Sequence, residues 1–403
     1  MVEIIPFKGY RFNEKKVNIS KVVSLPYDVI SPSMQDKYYR LSPYNIIRLI
    51  LRKDKGKDKY KKAKECLNNW IKKKIFIQDN SCCFYLHEQE FTFGSNKIRR
   101  KGLICLVKIE DFKKKKILPH ENTFLKDKRD RLNLLKECKA NLSPIFGLYD
   151  GEIDFKKVLR KKPFLEFNME DKKGNVLNRV WKIDDSELIK SIIRKMKNKR
   201  IFIADGHHRY EVAMFFKKKM ERICKDSKDA KWNYILFSLV SIKDKGLKIL
   251  PTHRVVKFVN SINFDEIKEK LSKDFYIKEI KSGYVNKDIV LYINKKYYRL
   301  ILKKEDSLKK IKTKNSLKWK KLPTAILHYL ILNILPEVKE IFYTVEKEDV
   351  IKKVNSGSFD IGFLMPTITA RDIKDIAFKL EKMPPKTTYF YPKLPSGIVI
   401  NKF

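Results

Sequence analysis

Arg200-Ile-Phe-Ile-Ala-Asp-Gly-His-His-Arg-Tyr-Glu-Val-Ala-Met-Phe-Phe216 is the stretch on which the reading of this chain turns. Ile201, Phe202, Ile203 and Ala204 form a short apolar run of the kind that becomes a buried strand. Asp205 and Gly206 break it. Over residues 207–219 the apolar side chains Val212, Phe215 and Phe216 fall on one side and no Gly or Pro intervenes, which predicts a helix. A strand that stops in a tight turn and opens a helix offers backbone N–H groups, with the helix dipole behind them, to an anion. Gly206 lets another group approach the backbone closely. His207, His208 and Arg209 stand on the first helical turn, where the dipole disfavours cations. Three potential cations in that place point to an anionic ligand. The competing reading is a surface turn with one structural histidine.

Working outward, 403 residues suffice for two or three domains, and a hydrophobic content of 43% can build sizeable cores. No run approaches the roughly 18 uninterrupted apolar residues of a membrane helix. The first nine residues lack the basic-then-apolar pattern of a signal peptide, so a cytoplasmic location is expected. The net charge of +43 raises nucleic-acid binding, but the lysines are spread evenly rather than gathered in a patch. That pattern reads as compositional bias, and nucleic acid is not expected as a partner. Six cysteines occur without a CxxC pair; they are read as reduced, mostly buried thiols, and no structural zinc site is expected.

Taken in order, residues 4–7 suggest an edge strand, and 22–30 a second strand broken by Pro26, with Tyr27 and Asp28 at its end. Asp28 reads equally as a turn residue or as a functional carboxylate. Ser31 is a predicted N-cap with Pro32 at the first helical position. Residues 60–74 carry a helical stripe of Ala63, Leu67, Trp70 and Ile71. Residues 81–93 and 97–109 alternate like two strands about a turn at Gly94-Ser95-Asn96. Pro119-His-Glu-Asn-Thr123 is a polar loop offering the imidazole of His120 and the carboxylate of Glu121, and Asp130 and Arg131 are expected to open a helix. Thr252, His253 and Arg254 sit at a strand end. An apolar helix is predicted over 322–335, with His328 structural. The tail from Met383 to Gly397 holds four prolines and cannot be helical. It is expected to lie across the first domain, with Lys386 available to an anion. The expected division is residues 1–258, a mixed α/β domain carrying the site, and residues 259–403, a smaller α+β domain.

With Pro26-Tyr-Asp-Val-Ile-Ser31, Pro119-His-Glu-Asn-Thr123, Asp130-Arg-Leu132, Ser143-Pro-Ile-Phe146, Ala204-Asp-Gly-His-His-Arg-Tyr210, Pro251-Thr-His-Arg254, Met383-Pro-Pro-Lys386 and the 389–397 segment in hand, the chain resembles the family catalogued as domain of unknown function 1015. Its Pro-Lys-Thr-Thr stands where that family's tail has Pro-Lys-Ser-Thr. The Asp-Gly-His-His-Arg-Tyr turn is also similar to the phosphate motif of the ParB/sulfiredoxin superfamily, which includes free-serine kinases. That resemblance implies a catalytic core of mixed α/β (α+β) type with a mixed sheet. Sulfiredoxin chemistry would need a cysteine where His207 or His208 stands.

Together these readings lead to a nucleotide-dependent phosphotransferase acting on a small metabolite such as free serine, with ATP or ADP and Mg²⁺. Gly206, His208 and Arg209 would hold phosphates with His207, and Asp28, Glu121 or Asp205 would supply a base or Mg²⁺ ligands. Arg131, Arg254 and Lys386 would neutralise charge, with His120, Asp130, Thr252 and His253 lining the same cleft. Two other classes remain open. One is a hydrolase or isomerase built on His120, His207, His208 and Glu121, with or without a metal. The other is a nucleic-acid-binding regulator.

Overall fold

The computed structural model describes residues 1–123, 125–171, 173–224, 230–283 and 287–403. They form two compact units of mixed α+β type. The first comprises Met1–Pro119, Thr123–Lys248 and Pro392–Phe403, and the second His120–Asn122 and Ile249–Tyr391. Strand His253–Phe258 pairs with Val338–Thr344 and Ile361–Leu364 in the second unit's sheet, so the chain leaves the first unit before the boundary expected at residue 258. The tail also divides: residues up to Tyr391 belong to the second unit, and Pro392–Phe403 to the first.

The first unit is built on a mixed sheet of nine strands among the described residues. Its order runs Ile117–Leu118, Ile201–Asp205, Ile145–Tyr149, Tyr234–Ser241, Asn96–Lys108, Phe84–Phe93, Gly174–Ile183 and Leu165–Asp171, with Ile4–Ile5 added alongside Asn96–Lys108. The hairpin Phe84–Phe93/Asn96–Lys108 forms where alternation predicts it. Phe93 pairs with Asn96, and Gly94 takes the left-handed conformation (φ +63°) that the tight turn requires. Successive side chains point to opposite faces, and each face is covered. Phe84, Leu86, Leu103, Cys105 and Phe237 join the helices Ser186–Lys197 and His207–Ile223 in one core. Tyr85, Ile104, Leu106 and Leu236 pack with helix Asp58–Lys72, with Leu134 and Cys138, and with Ile398–Ile400 in another.

Three local expectations change. Residues 22–30 are not a strand: Asn18 caps a short helix Ile19–Val22 through its side chain, and Tyr27–Val29 is a single 3-10 turn after Pro26. Ser31 does cap the next helix, Pro32–Leu41, accepting from Met34 N at 3.2 Å. Asp130 and Arg131 lie inside helix Leu125–Cys138 rather than opening it. The apolar stretch 322–335 is broken into a helical turn Pro323–Ile326, a π turn Leu327–Ile331 and a 3-10 turn Leu332–Ile334. The second unit is otherwise an antiparallel sheet ordered Phe275–Ile280, Lys296–Leu302, Ile289–Ile293, Ile361–Leu364, His253–Phe258 and Val338–Thr344, with helices Lys347–Asn355 and Ala370–Phe378.

One face of the first sheet carries a buried polar band. His87 Nε2 donates to Asn178 Oδ1 at 2.9 Å, and both residues are buried. Burial first, then the nearby Arg100 charge, pushes the imidazole down to about 4. The unfolded chain therefore binds a proton that the folded chain refuses between its ordinary value near 6.5 and about 4. Stability from this group is full above the upper value and is lost as pH falls toward the lower one, roughly 3 kcal/mol in all. Urea unfolding of the wild type should show this decline from pH 7 to pH 4.5, and His87→Gln should flatten it. A wild-type curve that is flat across that window would contradict the account.

Candidate functional site

Strand Ile201–Asp205 is buried along its apolar run and ends on Asp205. Gly206 then adopts φ +94°, and helix His207–Ile223 begins with Gly206 as its N-cap and no side-chain cap. The first intrahelical bond runs from Tyr210 N to Gly206 O at 3.1 Å, so the helix supplies no acceptor of its own to the N–H groups ahead of it. Arg209 folds back over the turn: a Cβ on Gly206 would meet Arg209 Nη2 at 2.8 Å and Cζ at 3.0 Å. Its Nη1 donates to Pro144 O at 2.5 Å, and its Nε is buried with no partner among the described residues. The space above Gly206 is thus filled by the chain's own guanidinium.

Asp205 is the acid of this cluster. Its Oδ2 accepts from Lys393 Nζ at 2.7 Å. Burial pushes the carboxyl up, but the charges of Lys393, Arg209 and His207 outweigh it and hold the group far below the usual carboxylate range. His207 is buried, while His208 and Arg209 are half-buried. Tyr210 anchors the helix, donating to Glu110 O at 2.7 Å, accepting from Glu110 N at 2.9 Å and stacking on Phe112. Glu211 accepts from Thr123 Oγ1 at 2.7 Å and from Lys128 Nζ at 2.6 Å, tying the loop after residue 122 to the same helix.

Beside the turn lies a partly open cavity of about 530 Å³, solvent at its mouth included. Its walls are largely apolar (Ile50, Leu134, Leu135, Leu142, Val212, Ala213, Ile235), and Arg131, Asn141, Ser143 and Arg209 add polar groups. Arg131 stacks on Tyr27, with its guanidinium carbon 3.9 Å from the ring centroid, and donates to Ile50 O at 2.9 Å. Asp130 accepts from Arg131, Lys59 and Tyr60; burial is outweighed first by the Arg131 charge, and its carboxyl is held at about 2. Asp28 follows Tyr27 on the 3-10 turn and is exposed. The structure therefore brings Arg131 and Arg209 to the wall of one cavity of the first unit, with Asp130 behind Arg131 as its ion-pair partner, Tyr27 leading to the Asp28 turn and Arg209 to the charge of Asp205.

The other predicted residues fall in the second unit. His120 O accepts from Met383 N at 2.7 Å, and His120 Nε2 lies 3.2 Å from Thr388 Oγ1. Glu121 Oε1 accepts from Lys386 N at 3.1 Å; Lys386 has φ +58° and an exposed side chain. Arg254 is buried and donates to the carbonyls of Thr252 and Lys386. His253 Nδ1 accepts from Met365 N at 3.0 Å. His253 and Arg254 thus hold backbone groups, Thr252 offers Arg254 its carbonyl, and Lys386 is an exposed ammonium in the same unit.

Sequence reading missed Lys393 and Glu211. Lys393 lies in the proline-rich tail, seven residues beyond Lys386, with no local signal to mark it. Glu211 follows the motif directly and could have been noticed as an acid one turn beyond three cations. Among the described residues, no group of three or more His, Cys, Asp or Glu side chains could hold a metal ion. No helix among them is long and apolar enough to cross a membrane.

The model of a family described as protein of unknown function (DUF1015) matches residues 4–325. The chain belongs to the DUF1015 family. That match takes in the Asp205–Arg209 turn, the cavity walls and the Thr252–Arg254 strand start, and it ends before the 383–397 tail. No curated protein matches the chain. Among solved structures, this family member is similar to a free serine kinase in complex with AMP, at 14% identity and a TM-score of 0.35, covering 68% of this chain and 84% of that one. It is also similar to a conserved hypothetical protein from Pyrococcus furiosus (16% identity, TM-score 0.35, 71% and 91% covered). A C-terminally truncated SbnI from Staphylococcus aureus matches at 10% identity and a TM-score of 0.36, with 72% and 84% covered.

Proposed function

We propose that the protein is a nucleotide-dependent phosphotransferase whose acceptor is a small hydroxyl-bearing metabolite, of the free-serine-kinase kind. The observation that carries this reading is the turn itself. A left-handed glycine opens a helix, a guanidinium whose Nε has no partner among the described residues lies over it, and a partly open, largely apolar cavity begins at that guanidinium. An anion with an apolar body, such as a nucleotide, is what such a place accommodates. In the proposal, Gly206, His208 and Arg209 hold phosphate oxygens through N–H groups and side chains, as at other strand–turn–helix sites. The cavity walls take the base.

Phosphoryl transfer demands positioning and charge stabilisation more than proton removal. The bond from the terminal phosphorus to its bridging oxygen breaks as the acceptor oxygen bonds to phosphorus, and the acceptor proton leaves. Asp205, held so acidic, is a weak base, and the role that fits it is to orient Lys393 and Arg209. His207, buried beside it, would take the proton in its neutral form. Mg²⁺ would be held mainly by the phosphates, and Asp28, exposed on its turn, is a carboxylate that could share it.

Titration calorimetry with ADP and Mg²⁺ tests this reading. A charge-assisted contact to phosphate is worth about 1.5–3 kcal/mol. Arg209→Ala should therefore weaken binding by roughly ten- to a hundredfold. Phosphorus NMR with free serine and ATP or ADP should then show a phosphomonoester. Unchanged affinity with a lowered melting temperature would make Arg209 structural and remove the proposal's basis.

A further inference from the structure

We infer that Lys393 is a phosphate-contacting residue of the first unit's site, resting on Asp205 and transferring its ammonium to the ligand's terminal phosphate when that ligand binds. The inference rests on the phosphate-site reading above and adds a residue and a competing counter-ion to it. Lys393 has a side chain only 8% exposed, and its partner Asp205 is 19% exposed. An ammonium is costly to bury, and a lysine serving solubility would stay in water. The main chain on both sides is fixed by groups that are themselves buried. Arg100 Nη2 donates to Pro392 O at 2.5 Å, Gln89 Nε2 donates to Lys393 O at 3.1 Å, and Ser396 N donates to Ser24 O at 2.8 Å. The backbone is held, so the part left to move is the four-carbon stem and its ammonium.

Charge balance supplies the second line. Asp205 accepts from Lys393 at 2.7 Å and also feels the charges of Arg209 and His207. One carboxylate is thus shared between the Lys393 ammonium and the Arg209 charge. Arg209, whose Nε is buried and unpartnered among the described residues, belongs to the same cluster and lines the cavity wall. A phosphate dianion entering there would satisfy Arg209 and compete with Asp205 for Lys393. Asp205 then acts as an internal stand-in for the ligand.

The stand-in role predicts a gain of binding, which a merely structural ion pair would not produce. The probe is inorganic pyrophosphate, titrated into the full chain. Asp205→Asn should tighten pyrophosphate binding by about threefold or more, because it removes the competing carboxylate. Lys393→Met should weaken it by about tenfold or more, and Lys393→Arg should restore most of the loss. Asp205→Asn combined with Lys393→Met leaves neither charge buried alone, so it stays folded and must still bind weakly. Weaker binding by Lys393→Met and by the double variant, with tighter binding by Asp205→Asn, supports the inference. Arg209→Ala separates the two levels: if it weakens pyrophosphate binding while the Lys393 variants do not, this inference falls and the phosphate site stands. If neither residue matters, both fall.

Discussion

Gly206→Val should abolish nucleotide and phosphate binding and lower the melting temperature at the same time. Two independent effects converge on this position. The backbone sits at φ +94°, a region where L-residues are disfavoured by about 1–2 kcal/mol and β-branched ones by more. The new side chain also points into Arg209, whose Nη2 would be 2.8 Å from the Cβ. From sequence alone the glycine reads as room for a ligand, but in the structure that room is taken by the residue that would grip it. Valine therefore displaces Arg209, and its effect on binding should exceed the roughly hundredfold upper bound for Arg209→Ala. Calorimetry with ADP, together with a melting curve, measures both effects. Retained affinity in a destabilised Gly206→Val protein would show that the guanidinium need not lie over the turn.

Arg254→Ala should unfold the second unit's sheet more readily than any surface substitution. The guanidinium is 1% exposed, donates to Thr252 O and to Lys386 O at 2.9 Å, and lies 5.6 Å from the Tyr343 ring centroid. Burial pushes it down to about 10, with Tyr343 and Glu121 opposing, so it stays charged at neutral pH. Truncation leaves a void and takes the guanidinium donors from the Thr252 and Lys386 carbonyls, a loss of about 3–5 kcal/mol. Lysine should not rescue it, because one ammonium cannot span carbonyls from two segments as a planar fork does. Hydrogen exchange should rise across His253–Phe258 and the 383–391 segment. Trp319, whose Nε1 donates to Lys382 O at 2.8 Å, reports the same event by fluorescence. Unaltered exchange in both segments would mean that Arg254 is replaceable.

Much of the first unit could be read in advance because its signals are local. The Phe84–Phe93/Asn96–Lys108 hairpin alternates and has a glycine turn, and the Ile201–Asp205 strand breaks at Asp-Gly before a helical stripe. The segment at 22–30 misled for a local reason as well: five apolar residues around Pro26 look extended, while Asn18 had already capped a helix four residues earlier. Asp130 and Arg131 looked like a helix start because their charges resemble one, yet they sit mid-helix pairing with Lys59, Tyr60 and Tyr27. Lys393 could not be read at all. Its partner is 188 residues away, and one lysine among 91 basic residues carries no mark of burial.

The return of Pro392–Phe403 to the first unit has a consequence for biosynthesis. The ribosome makes the whole of Ile249–Tyr391 before it makes the strand-like end that pairs Asn401 with Asn141 and lays Ile400 beside Tyr10. The first unit must wait through that interval with Ile398–Ile400 absent from its core and the Asp205 carboxylate lacking its lysine. Closure over so long a sequence separation is slow, and the waiting intermediate exposes apolar surface. A nascent chain paused near residue 390 should therefore engage chaperones and bind anions more weakly than the finished protein. A fragment cut at residue 248 would be an unfinished unit rather than a minimal one.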